Sequence, residues 1–291
     1  MAPGPAGGTL ALLGVGYMGG SLALAARAAG LAGTIVGYDP HAPSAALALQ
    51  QGIVDRVATQ PADAVQGAAV VVLAAPVRSL VPLAQGIADR VAPDALVIDI
   101  GSVKGPVIAG VEATSLASRF VGCHPLAGTE ASGPGAADAS LYAGKPCFIC
   151  PGPASLPAAI ERAKAFWQGL GASVLLLDPD AHDLFMAAGS HLPHVAAFAL
   201  AACLEPDADM LEVRIPRSYP PTSLRDSTRV AASNPAVWRD ILIENRAKLL
   251  PRIDRLQAEL AALKASLEGE DPEALQALLE RGRSTRRRIV K

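Results

Sequence analysis

Residues 10–21, LALLGVGYMGGS, constrain this chain more than any other stretch. An apolar run, Leu10 to Leu13, leads directly into Gly14-Val15-Gly16-Tyr17-Met18-Gly19 and then into helix formers from Leu22 to Ala29. The order predicts strand, glycine turn and helix. Gly14 allows the tight turn, Gly16 lets backbone approach a pyrophosphate, and Gly19 lets helix and strand pack closely, with the helix N-terminus aimed at the phosphates. A second strand, predicted over Thr34–Tyr38, ends on Asp39, where a carboxylate would take the adenosine ribose hydroxyls. No Arg or Lys lies between Asp39 and Arg56 to receive a 2′-phosphate, so the site reads as one for NAD rather than NADP.

Downstream, apolar strand-like runs alternate with helical stretches. Strands are expected at 69–74, 96–100, 119–123, 146–150 and 173–177, and helices at 44–51, 62–65, 79–90, 106–118 and 157–168. This alternation predicts an α/β fold of Rossmann type, a doubly wound and mainly parallel sheet. Ligands on such sheets sit at the carboxyl ends of the strands. The loops at Ala75-Pro76, Gly101–Lys104 and His124–Glu130 fall on that edge, and Ala75 and Pro76 are expected beside the cofactor.

Asp178-Pro179 reads as a helix N-cap with proline in the first turn. The chain beyond is almost entirely helical, so two domains are expected, a dinucleotide-binding domain over 1–178 and a helical domain over 179–291. A length of 291 residues suits two domains. Pro193 is expected to kink the helix that carries Ser190, His191 and His194, and Ser190 and His194 share a face. Ile253, Leu256, Leu260, Leu263 and Leu267 repeat at spacings of three and four, a helix-pairing stripe that fits intrachain packing or a homodimer.

A formal charge of -2 gives no argument for nucleic acid. The leader MAPGPAGG lacks a basic segment and an apolar segment, and no run is expected to span a bilayer, since the most apolar, Met186 to Leu204, carries His191, His194 and Ser190. A cytoplasmic location is therefore expected. Cys147 and Cys150 form a C-x-x-C that falls in a strand, where residues three apart face opposite sides, so buried thiols are expected rather than a zinc site. His182, His191 and His194 lack a second cluster with ligand spacing, and no metal is expected.

His124, at a strand end near the nicotinamide side of a bound cofactor, could accept a hydroxyl proton at a carbon that loses hydride. Ser102 and Lys104 lie on a neighbouring strand-end loop. Arg225, Asp226 and Arg229 form a compact charged group. Such groups are usually solvated, but a guanidinium facing the cleft would clamp a substrate carboxylate.

Taken together, GVGYMGGSLA, DIGSVK (99–104), GCHPLAGTE (122–130), HDLFMAAGSHLPH (182–194) and LRDSTRVAASNPAVWRDI (224–241) resemble the prephenate and arogenate (cyclohexadienyl) dehydrogenase family of tyrosine biosynthesis. The likeness runs from about Leu10 to Asn245. It implies oxidative decarboxylation: hydride leaves the hydroxyl-bearing ring carbon for NAD as the opposite carboxylate departs as carbon dioxide. It further implies that His124 polarises the ring hydroxyl with Ser102 beside it, and that Ser190 and His194 line the substrate pocket. Arg229 would bind the ring carboxylate with Arg225 nearby, and the helical domain would form a dimer. The chain departs from the family pattern at Pro220-Pro221-Thr222-Ser223, with Leu224 in a phenylalanine place, and at Asn234, where aspartate is frequent. Two other readings compete: another two-domain β-hydroxyacid or imino-acid oxidoreductase, and a silent NAD-binding regulatory dimer.

Overall fold

The structure is a computed structural model that describes residues 7–128, 131–207 and 221–290. Residues 1–6 of the leader, Thr129 and Glu130 of the 122–130 motif, Pro220 and Lys291 lie outside the described residues. By contacts the chain forms two compact units, Met1–Asn245 and Arg246–Lys291.

The first unit holds eight strands: β1 (Thr9–Leu13), β2 (Thr34–Tyr38), β3 (Arg56–Val57), β4 (Val70–Leu73), β5 (Leu96–Asp99), β6 (Phe120–Pro125), β7 (Pro146–Pro151) and β8 (Ser173–Leu176). They make one sheet in the order β3-β2-β1-β4-β5-β6-β7-β8, parallel at every pairing except the antiparallel β6–β7. The expected doubly wound sheet is therefore present. Helices α1 (Tyr17–Ala28), α2 (Ala42–Gln50), α3 (Pro61–Ala64), α4 (Val77–Ile87), α5 (Gly105–Glu112) and α6 (Pro157–Gly169) connect the strands.

Both faces of the sheet are covered because alternate strand residues point opposite ways. Leu10 and Leu12 pack with Leu22 and Ala26 of α1 and with Phe166 and Trp167 of α6, whereas Ala11 and Leu13 join Leu80 and Ile87 of α4 and Val107 and Val111 of α5. Each large aliphatic side chain withdrawn from water in this way contributes about 1.5–3 kcal/mol. Cys147 and Cys150 divide between the same two layers, as expected for residues three apart on a strand, and both are buried free thiols.

One boundary changes the site. His124 lies inside β6, in register with Phe148 of β7, and does not follow the strand as expected. The parallel neighbour β5 pairs with β6 only at Phe120 and Val121. The antiparallel ladder with β7 extends β6 through Pro125.

Asp178 caps the next helix, accepting from the amides of Asp180 and Ala181. The segment is α7 (Pro179–Met186), a π turn (Ala187–His191) and α8 (Leu192–Cys203). The expected kink at Pro193 is thus a π turn just before it. Proline has no N–H to give to the preceding turn, and a wider turn accommodates the missing bond. By length and composition Pro179–Cys203 is apolar enough to cross a membrane, contrary to expectation, its most apolar 18-residue stretch having a mean hydropathy of 1.4. Its His182, Asp183 and His191 are nevertheless buried within the first unit. Then follow α9 (Thr222–Thr228), a 3-10 turn (Arg229–Ala232) and α10 (Pro235–Glu244), whose cap Asn234 accepts from the Ala236 amide.

The second unit consists of α11 (Arg246–Glu268) and α12 (Pro272–Ile289), tied to each other by an Arg281–Glu259 ion pair. Leu260 and Leu267 of the expected stripe are exposed on it, as are Leu279 and Ile289.

Candidate active site

The sheet order reverses at β1, which pairs with β2 on one side and β4 on the other. Loops leaving β1 and β4 turn to opposite faces there, opening the crevice where ligands of such sheets bind. A cavity of about 580 Å³ occupies it, lined by Gly14, Gly16, Tyr38, Asp39, Pro40, Ala75, Pro76 and neighbouring residues. Five of the residues expected to hold cofactor therefore surround one space.

The three glycines differ in what they permit. Gly14 has φ +107°, and a side chain there would lie 2.4 Å from the Ala74 carbonyl oxygen. At Gly19 a Cβ would stand 2.1 Å from the Gly14 oxygen, so helix and strand touch at that point. Gly16 meets nothing within 4 Å. It precedes the first turn of α1, Tyr17 and Met18 included, and provides no side-chain cap. Open space at a helix N-terminus with free amides and a partial positive charge fits a pyrophosphate. Asp39 lines the same cavity, and its Oδ2 accepts the Val15 amide while Oδ1 accepts that of His41. Each oxygen keeps a second lone pair for a ribose hydroxyl. These residues fit an NAD-type cofactor.

Toward β6 the site is a chain of buried polar groups. His124, only 6% exposed, has its Nδ1 2.9 Å from Nε2 of His182. Nδ1 of His182 lies 2.8 Å from Oδ1 of Asp183. The Asp183 carboxylate also accepts the amides of Lys104 and Gly105, both at 2.8 Å, and so anchors the start of α5. Burial pulls its pKa upward, but the hydrogen bonds from His182 and the two amides outweigh this and hold it below the usual carboxylate range. Burial, reinforced by His182 and by the Lys104 ammonium, pushes His124 well below the ordinary histidine value. It is a neutral imidazole near pH 7.

Lys104 is fully buried. Its ammonium pairs with Asp99 and donates to the Cys123 carbonyl at 2.7 Å. Asp99 also accepts the amides of Gly101 and Cys123. This pair joins the 101–104 loop to the strand of His124. Ser102 is half-buried on that loop, and among the described residues no hydrogen bond joins it to His124.

The helices beyond Asp178 carry a second cluster of polar and aromatic side chains. His194 donates from Nδ1 to the Ser190 carbonyl at 2.9 Å and stacks on Trp238, ring centroids 3.4 Å apart. Burial lowers its pKa, and the Arg229 charge adds to that effect. Arg225 is exposed and turned to Asp226 at 3.3 Å. His191 is fully buried, its Nδ1 facing the Asn245 amide nitrogen at 3.0 Å. Asn245 donates in addition to the Asp183 carbonyl.

His182, Asp183, Asn245 and Trp238 were not picked out from the sequence as site residues. An adjacent His-Asp pair, one turn after the Asp178 cap and on an otherwise apolar helix, was the available signal. Both nitrogens of His182 are committed, to His124 and to Asp183, which leaves none for a metal.

A glycine cradle at the sheet's switch point and a neutral histidine at the end of a nearby strand define a dinucleotide-dependent oxidoreductase of the Rossmann class. Comparisons make this specific. A family profile described as "Prephenate dehydrogenase, nucleotide-binding domain" matches residues 22–176, and one described as "Prephenate dehydrogenase, dimerization domain" matches 178–281. The cyclohexadienyl dehydrogenase of Zymomonas mobilis is 35% identical over 268 residues, covering 91% of this chain and 90% of that one. The crystal structure of prephenate dehydrogenase from Aquifex aeolicus with hydroxyphenyl propionate and NAD+ has a TM-score of 0.85 at 33% identity, covering 98% of this chain and 99% of that one. Synechocystis arogenate dehydrogenase has a TM-score of 0.77 at 26% identity, covering 97% and 100%. The chain belongs to the prephenate dehydrogenase family.

Proposed function

We propose that the protein catalyses the NAD-dependent oxidative decarboxylation of prephenate, arogenate or both, giving 4-hydroxyphenylpyruvate or tyrosine. The observation that carries this reading is His124, buried and neutral on the same sheet whose β1–α1 turn forms the cofactor cradle. Bound NAD supplies the hydride acceptor. His124 accepts the ring hydroxyl proton as the carbon beneath that oxygen becomes a carbonyl carbon. The electron pair of the bond to the departing carboxylate then enters the ring, carbon dioxide leaves, and the phenolate takes a proton back. Ser190, His194 and Arg229 form the substrate wall, with Arg229 on the ring carboxylate, and Ser102 sits beside the hydroxyl. Arg225 contributes at the rim.

In this reading 1–178 binds cofactor and 179–291 binds substrate and forms a homodimer. The exposure of Leu260, Leu267 and Leu279 on α11 and α12 supports the pairing of two copies. Three buried cysteines held as free thiols agree with the reducing cytoplasm.

The test is NADH formation with prephenate and arogenate in separate assays, each repeated with NADP. Turnover of either acid supports the reaction class, and the ratio of kcat/KM values names the preferred one. Failure with both, alongside measurable NAD binding, would redirect the assignment to another oxidoreductase.

A further inference from the structure

Three ring and carboxyl groups stand in line: His124, His182 and Asp183. Their protonation follows from the hydrogen bonds. Asp183 is ionised and accepts two backbone amides, so the proton between it and His182 belongs to His182 Nδ1. A neutral His182 then offers only a lone pair at Nε2. The bond to His124 at 2.9 Å must be donated by His124 Nδ1–H. That leaves His124 Nε2 bare.

We propose that His182 and Asp183 are positioning residues: they hold His124 in the tautomer whose Nε2 can accept the substrate hydroxyl proton, and they take up its Nδ1 proton as that transfer occurs. The inference rests on the proposed function for the identity of the proton donor. The substrate O–H bond breaks as N–H forms at His124 Nε2, and the Nδ1–H bond of His124 breaks as N–H forms at His182 Nε2. The cation then lies on His182 with its other N–H on the Asp183 carboxylate. The sequence reverses when the phenolate is protonated.

The surrounding charges favour that destination. His124 feels the Lys104 ammonium and the rings of His182 and His191. His182 feels Lys104 as well, but also the carboxylates of Asp183 and Asp99. From β7, Phe148 meets the His182 ring edge to face at 5.6 Å and fixes its plane. His182 is fully buried, so the chain is sealed on the side away from substrate.

Nitrogen-15 NMR of histidine in the free protein, with His182→Leu and His182→Gln, tests this. Wild-type His124 is expected to carry its proton on Nδ1 at neutral pH. In His182→Leu it should move to Nε2, and kcat should fall about 100-fold, with KM and NAD affinity within about three-fold of wild type. Glutamine can accept from His124 and donate to Asp183 but cannot take a proton. His182→Gln should therefore keep the tautomer and recover only about ten-fold of the lost kcat. A wild-type His124 protonated on Nε2, or a His182→Leu enzyme with undiminished kcat, would overturn the proposal. A His182→Gln enzyme equal to wild type would remove the proton-uptake part. Should His182→Leu fail to fold, His182→Gln with normal NAD affinity and reduced kcat carries the test. Absence of turnover in wild type would count against the proposed function alone, since the tautomer is read without substrate.

Discussion

Asp39 Oδ2 accepts the amide hydrogen of Val15 at 3.0 Å, so the acidic residue just after β2 holds the middle of the glycine turn after β1. The carboxylate thereby shapes the cradle and lines the cavity with negative charge. A 2′-phosphate brought there would meet that charge, with no Lys or Arg before Arg56 to offset it. Asp39→Asn should weaken NAD binding by about ten-fold while weakening NADP binding much less. Calorimetric titration with both cofactors reads the ratio. An unchanged ratio would remove Asp39 as the discriminating residue.

Gly16 and Gly19 separate folding from binding. An alanine at Gly19 would drive a methyl group to 2.1 Å from a backbone oxygen, so Gly19→Ala should lower the melting temperature and cost about 1–3 kcal/mol or more. At Gly16 the same methyl group meets open space. Gly16→Ala should melt like wild type but bind NAD at least about ten-fold more weakly, because the methyl group takes the pyrophosphate's place. Thermal melts with NAD titrations check both, and a Gly16→Ala protein with native affinity would contradict the placement of the phosphates.

Arg229 and His124 should separate kinetically. A guanidinium on the departing carboxylate stabilises the ground state at least as much as the transition state, where that charge is dispersing, so it cannot speed decarboxylation directly. Arg229→Ala should chiefly raise KM, by about ten-fold or more, whereas His124→Ala should chiefly lower kcat, by about 10²–10⁴. Steady-state kinetics with the opposite pattern would refute this division.

Acid should destabilise the fold through its buried histidines. Burial, with the charges of His182 and His194, pushes His191 down to about 4 despite the pull of Asp183, from an ordinary value of 6.5. Between those values the unfolded chain binds more protons than the folded one. Stability is therefore lost as pH falls through that window and is level above it. For His191 alone the loss amounts to roughly 3 kcal/mol, and the lowered values of His124 and His182 act in the same direction. Urea midpoints should fall from neutral pH to about pH 5, less steeply in His191→Phe. A flat profile would show that His191 is not held neutral.

Much of the cofactor half was legible in the sequence because its signals are local. The glycine turn, the strand 34–38 and the cap at Asp178 depend on neighbours within a few residues. His124 was singled out, but its setting inside β6 was not. That setting depends on pairing with β7, more than twenty residues further on. The role of His182 is not legible in the sequence, because its partner lies 58 residues away and no local spacing records the contact. Lys104 read as a loop lysine, whereas the fold buries it against Asp99. The charged group at 225–229 divides, Arg225 facing Asp226 in solvent while the charge of Arg229 bears on His194.

The π turn at Ala187–His191 has a bearing on how this helix serves two places at once. Its first part delivers His182 to the strand that carries His124, and its second delivers His194 to Trp238. One extra residue in a helix turns everything after it by about 100° relative to everything before. The turn therefore works as a phase offset, aiming two sets of side chains that an uninterrupted helix of this sequence would aim elsewhere. Deleting one residue from 187–190 would make the helix more regular and would swing His194 away from Trp238 while leaving His182 where it is.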